Sequence, residues 1–386
     1  MRPADRTIFL SKATILTFQE DATLCYQKHD NNMNKLLMPY HKGALQLKNH
    51  LVMAPMTRSR AIDNLPNQLM ADYYTQRSGA GLIITEGTAP SPDALGYSRI
   101  PGIFSNEQTE AWKAITTAVH TAGSKIFVQL MHTGRIGHPA NLPAGARLVG
   151  PSTIKAAGDI WTDALGKQTY PEPEMLTSDA IATVIEEFVH AARNAMEAGF
   201  DGVELHGANG YLVEQFLNPH VNNRTDEWGG NITNRTRLAI RIVQEIAAAI
   251  GADKVGVRFS PYSTLGDLPA YDEQEVHDTY ALLAKEMNNA NIAYLHIGMS
   301  AIIPQKTFDA IRGSFKGTII LCNGLTPETA EQALHAGFAD LVAFGRAFLA
   351  NPDLEKRIAA NAPLHQPDYN TLYTPGPVGY TDYLSL

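Results

Sequence analysis

Short apolar runs recur along this chain of 386 residues, separated by longer amphipathic stretches. The runs are LVMAPM (51–56), GLIITEG (81–87), KIFVQLMH (125–132), GVELHG (202–207), KVGVRFSP (254–261), IAYLHIG (292–298), TIILCNG (318–324) and LVAFGR (341–346). Each is a few residues long, nearly continuous in apolar character and rich in Val, Ile and Leu, as parallel strands buried on both faces are. The stretches between them carry helix signals. Residues 105–123 open on a Ser cap and close on Gly, and residues 177–199 show apolar positions at helical period and end in Gly199. In TPETAEQALHAG (326–337), Thr326 is placed to cap, Pro327 to sit first in the helix and Gly337 to end it. Eight such strands alternating with helices predict an α/β chain folded as a (β/α)8 TIM barrel. A doubly wound sheet is the alternative, disfavoured because no G-x-G-x-x-G follows the first run.

Two insertions break the repeat. HKGALQLKNH (41–50) reads as a small hairpin that plugs the bottom of the barrel. Residues 133–176 form a long Gly- and Pro-rich segment after the third run, expected to cover part of the mouth. Residues 1–32 read as an N-terminal extension, either a mobile tail or an untranslated segment upstream of a start at Met33, with the barrel spanning 33–386.

Composition narrows the function classes. A hydrophobic content of 44% allows a large core. A net charge of −8 argues against a nucleic-acid surface. No run approaches the ~18 apolar residues of a membrane span. Two cysteines, Cys25 and Cys322, build neither a disulfide framework nor a metal cluster, and reduced thiols in the cytoplasm are the simplest reading.

In this architecture chemistry sits at the C-terminal ends of the strands. Those ends carry Thr57, Gln129, His206 with Asn209 and Tyr211, Arg258, Gly324, and Gly345 with Arg346. The stretch HGANGYLVEQFL (206–217) has two readings. It is a strand-to-helix turn capped by its His and Asn, or a site that grips one oxygen and delivers one proton. Glycines ending the last two runs suit a phosphate nest, to which Arg346 adds a bidentate contact.

Several of these stretches, in this order, resemble the Old Yellow Enzyme family of flavin-dependent ene-reductases. They are APMTRSR (54–60), YYTQRSGAGLIITEGT (73–88), VQLMHTGR (128–135), GFDGVELHGANGYLVEQFLNP (199–219), NRTDEWGGNITNRTR (223–237), VGVRFSP (255–261) and AFGRAFLANPDL (343–354). The resemblance implies non-covalent FMN in the mouth, reduced by NADPH or NADH. It implies that Ala54, Pro55, Met56 and Thr57 line the flavin ring, that Gly87 lets the ring approach, and that Gln129 pairs with the pyrimidine edge. Arg258 would stand where charge builds on reduction, and Asn323, Gly324, Gly345 and Arg346 would hold the phosphate. Asn323 replaces the first of a glycine pair that many members carry. His206 and Asn209 would bind the substrate's carbonyl or nitro oxygen, and Tyr211 would protonate the α-carbon. Tyr97, Met131 and Tyr373 would shape the substrate pocket. The implied substrates are enones, maleimides and nitroalkenes, and the implied partners are small molecules alone.

Two rivals stand beside this reading. A flavin-free phosphate-binding barrel needs a Schiff-base lysine or a metal cluster at a strand end, where Glu86 is the one acid near the second run's end. A non-catalytic flavin-binding protein has no need of the His206, Asn209 and Tyr211 set.

Overall fold

The computed structural model describes residues 34–299, 301–322 and 324–386. The expectations for residues 1–32, Met33, Cys25 and Asn323 lie outside the described residues. A hairpin of β1 (Tyr40–Lys42) and β2 (Leu45–Leu47) precedes the first barrel strand, β3 (Leu51–Met53). Strands β4 (Leu82–Thr88) and β5 (Lys125–Leu130) follow. The insertion after β5 folds into short pairs, β6 (Val149–Gly150) with β9 (Glu174–Met175) and β7 (Asp159–Thr162) with β8 (Gly166–Thr169). The barrel continues with β10 (Gly202–Gly207), β11 (Val255–Phe259), β12 (Tyr294–Gly298), β13 (Thr318–Cys322) and β14 (Leu341–Phe344). Each barrel strand pairs in parallel with the next, and β14 closes on β3. The (β/α)8 barrel is therefore formed, from the eight expected strands.

Helix signals act where the sequence places them. Ser105 caps helix Asn106–Thr121 through a reciprocal bond with Gln108, and Thr177 and Thr326 cap Ser178–Glu197 and Pro327–His335. Gly337 lies one residue beyond the C-cap Ala336, at φ +74°, the left-handed conformation that ends a helix at low cost.

Strand parity sorts the barrel into two faces. One apolar cluster joins Leu51, Met53, Val128, Val203, Val257 and Leu295 to the surrounding helices. The alternate residues Val52, Leu82, Ile84, Phe127, Tyr294, Ile320 and Leu341 form a second cluster with Tyr40, Leu45 and Leu47 of the hairpin. Successive strand residues point to opposite faces, so this second set fills the barrel interior, and the hairpin seals its N-terminal end. Tyr40 fastens the plug by a 2.7 Å hydrogen bond between its hydroxyl and that of Thr318. The same parity turns Gln129, Glu204, His206, Arg258 and His296 inward, two to four residues further along their strands. The interior is thus apolar near the hairpin and polar near the mouth.

Candidate active site

The mouth opens into a cavity of about 780 Å³. That is ample for a cofactor and a small substrate together. Ten of the expected residues line it: Pro55, Thr57, Gln129, Arg258, His206, Asn209, Tyr211, Tyr97, Met131 and Tyr373. Among the described residues no lysine lines this cavity, and no cluster of three or more His, Cys, Asp and Glu suits a metal. Both features count against the phosphate-barrel rival.

The loop after β10 is not a capping turn. Helix Leu212–Leu217 starts at Tyr211 with no side-chain cap bond. His206 instead accepts the Ala208 N–H at Nδ1, 3.3 Å away. In a neutral imidazole this leaves the hydrogen on Nε2, as a donor. Burial first, then the neighbouring Arg258 and His296, hold His206 well below the usual histidine range, so the ring is neutral. Asn209 sits at φ +59°, and its buried side-chain oxygen has no hydrogen-bond partner.

Glu214, one turn into the helix, holds this loop from beneath. Its carboxylate accepts the Gly210 N–H at 2.7 Å, the Ser260 hydroxyl at 2.7 Å and the Tyr280 hydroxyl at 3.0 Å. Ser260 in turn accepts the Asn209 N–H at 2.9 Å. Burial outweighs these bonds and pushes Glu214 up to about 7.

Tyr211 completes the constellation. Burial raises its phenol to about 12, so it carries its proton throughout the neutral range. Its hydroxyl lies 3.2 Å from that of Tyr97, which burial also raises well above the ordinary tyrosine value.

Beneath the cavity lies a buried polar layer. Glu204 accepts from the Gln129 side-chain amide at 2.8 Å and pairs with His296 Nδ1 at 2.9 Å. Burial opposes charge on His296, yet Glu204 holds it above the usual range. With its NH₂ committed to Glu204, Gln129 keeps its carbonyl oxygen for the cavity. Arg258 adds a guanidinium whose buried Nε has no partner. An acceptor beside an unsatisfied cation fits the amide-like edge of a flavin pyrimidine ring.

The remaining expected residues do not line this cavity. Ala54 is buried with the barrel interior, and half-buried Met56 stands 3.3 Å from where a side chain on Gly345 would begin. A side chain on Gly87 would meet the Met131 sulfur at 2.4 Å, so this glycine makes room for Met131. Gly324 adopts φ +72° at the end of β13. Arg346 is exposed and starts helix Arg346–Ala350. Among the described residues it has no ion-pair partner. Glu86 does not enter the cavity. A shift in register after Ile84 sends it outward, where it accepts the Arg58 N–H.

Sequence reading missed Glu204 and His296, the latch-like Arg99, the rim aromatics Trp161, Tyr170 and Tyr369, and the buried Arg58 and Arg60. Trp161 and Tyr170 come from the insertion after β5, which covers the mouth as expected. Arg60 grips the C-terminal segment through the carbonyls of Thr371, Leu372 and Val378 at 2.6–2.9 Å. This brings Tyr369 and Tyr373 to the rim.

Residues 35–365 match the NADH:flavin oxidoreductase / NADH oxidase family. Over 374 residues the chain is 40% identical to 12-oxophytodienoate reductase 7 of Oryza sativa subsp. japonica, covering 90% of this chain and 94% of that protein. A solved structure of morphinone reductase in complex with tetrahydroNAD superposes with a TM-score of 0.86 at 40% identity, covering 91% of this chain and 97% of that one. The Old Yellow Enzyme homologue from Zymomonas mobilis superposes with a TM-score of 0.87, also at 40% identity, over 91% of this chain and all of that one.

Proposed function

The chain belongs to the NADH:flavin oxidoreductase / NADH oxidase family, as an Old Yellow Enzyme-type oxidoreductase that uses FMN and a nicotinamide reductant, and we propose that it reduces activated C=C bonds with Tyr211 as proton donor. The substrates are α,β-unsaturated carbonyl compounds, maleimides and nitroalkenes. The observation that carries this reading is the grouping, in one cavity, of a neutral His206 donor, the Asn209 side chain and a protonated Tyr211.

FMN, when bound, would supply hydride chemistry at the expense of NADH or NADPH. His206 Nε2–H and the Asn209 NH₂ hold the substrate oxygen and stabilise the negative charge that develops there, a contribution of ~3 kcal/mol per donor in comparable sites. Because His206 is neutral, it donates without surrendering its proton. Tyr211 then protonates the α-carbon. Gln129, Arg258, Pro55 and Thr57 would hold the isoalloxazine ring, Ala54, Met56 and Gly87 would back that wall, and Gly324, Gly345 and Arg346 would hold the phosphate. Tyr97, Met131 and Tyr373 wall the substrate space. The tetrahydroNAD complex of morphinone reductase supports a nicotinamide reductant for this chain.

The test is the visible spectrum of the purified protein before and after anaerobic NADH or NADPH. A yellow protein that bleaches and regains its colour with an enone or maleimide supports the reading. A protein that stays colourless after incubation with FMN overturns it.

A further inference from the structure

Two walls of the cavity rim belong to segments far apart in sequence. One is the β7–β8 hairpin, which brings Trp161. The other is the C-terminal segment, which brings Tyr373. Both side chains are large, aromatic and about 60% exposed (60% and 59%). Among the described residues, one side chain bonds to both segments. Arg99 pairs through Nη1 with Asp163 of the hairpin, and its Nη2 donates to the Tyr373 carbonyl at 2.8 Å. Its Nε donates to the Ser59 carbonyl at 3.0 Å, on the loop after β3. One planar guanidinium thus fastens three pieces of the rim through a fork whose donors are held in fixed directions.

Three further observations agree. Asp163 also accepts from the Trp161 indole N–H at 3.1 Å, so the same carboxylate orients the aromatic face. Arg99 occupies φ +55°, a left-handed conformation that costs a non-glycine residue ~1 kcal/mol or more. That cost is met by the three bonds, which hold the side chain with only 14% of its surface exposed. Ser98, next in the chain, bonds to Asn141, whose amide in turn donates to the Trp161 carbonyl at 3.0 Å. The segment that carries Tyr97 to the proton donor is therefore continuous with the segment that fixes the rim.

We propose that Arg99 is a positioning residue that ties the β7–β8 hairpin to the C-terminal segment and so sets the size of molecule the cavity admits. Uncharged molecules suit the rim that Trp161 and Tyr373 line, because Arg99 already neutralises Asp163, and Lys167 pairs with Asp159 at 2.7 Å. The class of molecule rests on the ene-reductase reading, whereas the tie itself does not.

The experiment uses the full-length, FMN-loaded protein with Arg99→Ala and Asp163→Asn, the second keeping both carbonyl bonds of Arg99 should the first not fold. Trypsin cleavage after Lys167, on the exposed arm of the hairpin, reads the tie without turnover. The KM for a bulky polycyclic enone, relative to that for 2-cyclohexenone, reads the size filter. Cleavage several-fold faster than wild type in both variants is expected, with the KM ratio changed about tenfold, as the loss of charge-assisted bonds implies. Wild-type cleavage and an unchanged KM ratio in Asp163→Asn would overturn the proposal. Faster cleavage in a protein that reduces no enone would uphold the tie and overturn the functional reading instead.

Discussion

The imidazole of His206 stands edge-on to the Tyr211 ring, with centroids 4.7 Å apart and planes at 79°. The two rings therefore brace each other, and the hydroxyl of Tyr211 can be removed without disturbing this packing. Tyr211→Phe is expected to slow the half-reaction with an enone by ~10²–10⁴. The half-reaction with NADH or NADPH should stay within a few-fold of wild type. Stopped-flow measurement of the two separately checks this, and equal slowing of both would remove Tyr211 from the proton-donor role.

Glu214 makes the loop sensitive to pH. Its pKa is raised from the ordinary 4.5 to about 7 by burial. A carboxyl raised on folding binds its proton more tightly in the native state. Its stabilising contribution is complete below 4.5 and is lost as pH rises through about 7. Glu214→Gln cannot ionise, so the melting temperature of the variant minus that of wild type should climb across this window. A difference that is flat between pH 4.5 and 7.5 would contradict the assignment.

Gly210 connects Asn209 to Tyr211 at φ +83°, and a side chain there would meet the Leu265 carbonyl oxygen at 2.3 Å. Gly210→Ala should displace both flanking residues. The expected result is a loss of kcat with enones of at least ~10², the cost of misplacing groups by about an ångström. FMN content, read from the absorbance ratio of the purified protein, should be retained.

Arg346 is exposed and pairs with no acid among the described residues. Arg346→Ala is therefore expected to leave the melting temperature of the apoprotein unchanged. It should weaken FMN binding by ~10–100-fold, the worth of a charge-assisted contact. Fluorescence titration of apoprotein with FMN, beside a titration with riboflavin that is insensitive to the change, isolates the phosphate contact.

Glu204 is fully buried and answers to two donors, Gln129 and His296. Glu204→Leu leaves both unpaired and should destabilise the protein on the order of 3 kcal/mol. Glu204→Gln retains the volume and one acceptor, and should weaken FMN binding more than it lowers the apoprotein melting temperature.

The barrel was legible because strands buried on both faces announce themselves as short apolar runs and their helices carry caps such as Ser105 and Thr326. That same double burial hid Glu204 and His296. Inside GVEL and YLHI each is the one ionisable side chain of imidazole or carboxyl type in an apolar run. Only the parity with Phe127, Tyr294 and Ile320 shows that they face inward. Thr57, Gln129, His206, Tyr211 and Arg258 were readable because strand ends converge by topology. Arg99, Trp161 and Tyr369 were not, because their proximity depends on how an insertion and the C-terminal segment fold across the mouth, and no local periodicity encodes that.

The hairpin plug has a consequence for proton traffic. Tyr40, Leu45 and Leu47 close the far end of the barrel with apolar packing, which disfavours a water column through it toward Tyr211. In the proposed reaction, each proton that Tyr211 gives up would return by way of the mouth, past the Tyr97 hydroxyl 3.2 Å away. Recharging of the acid and departure of the product thus share one doorway. A solvent isotope effect on turnover would then report on how far the rim stands open, as well as on the transfer to carbon.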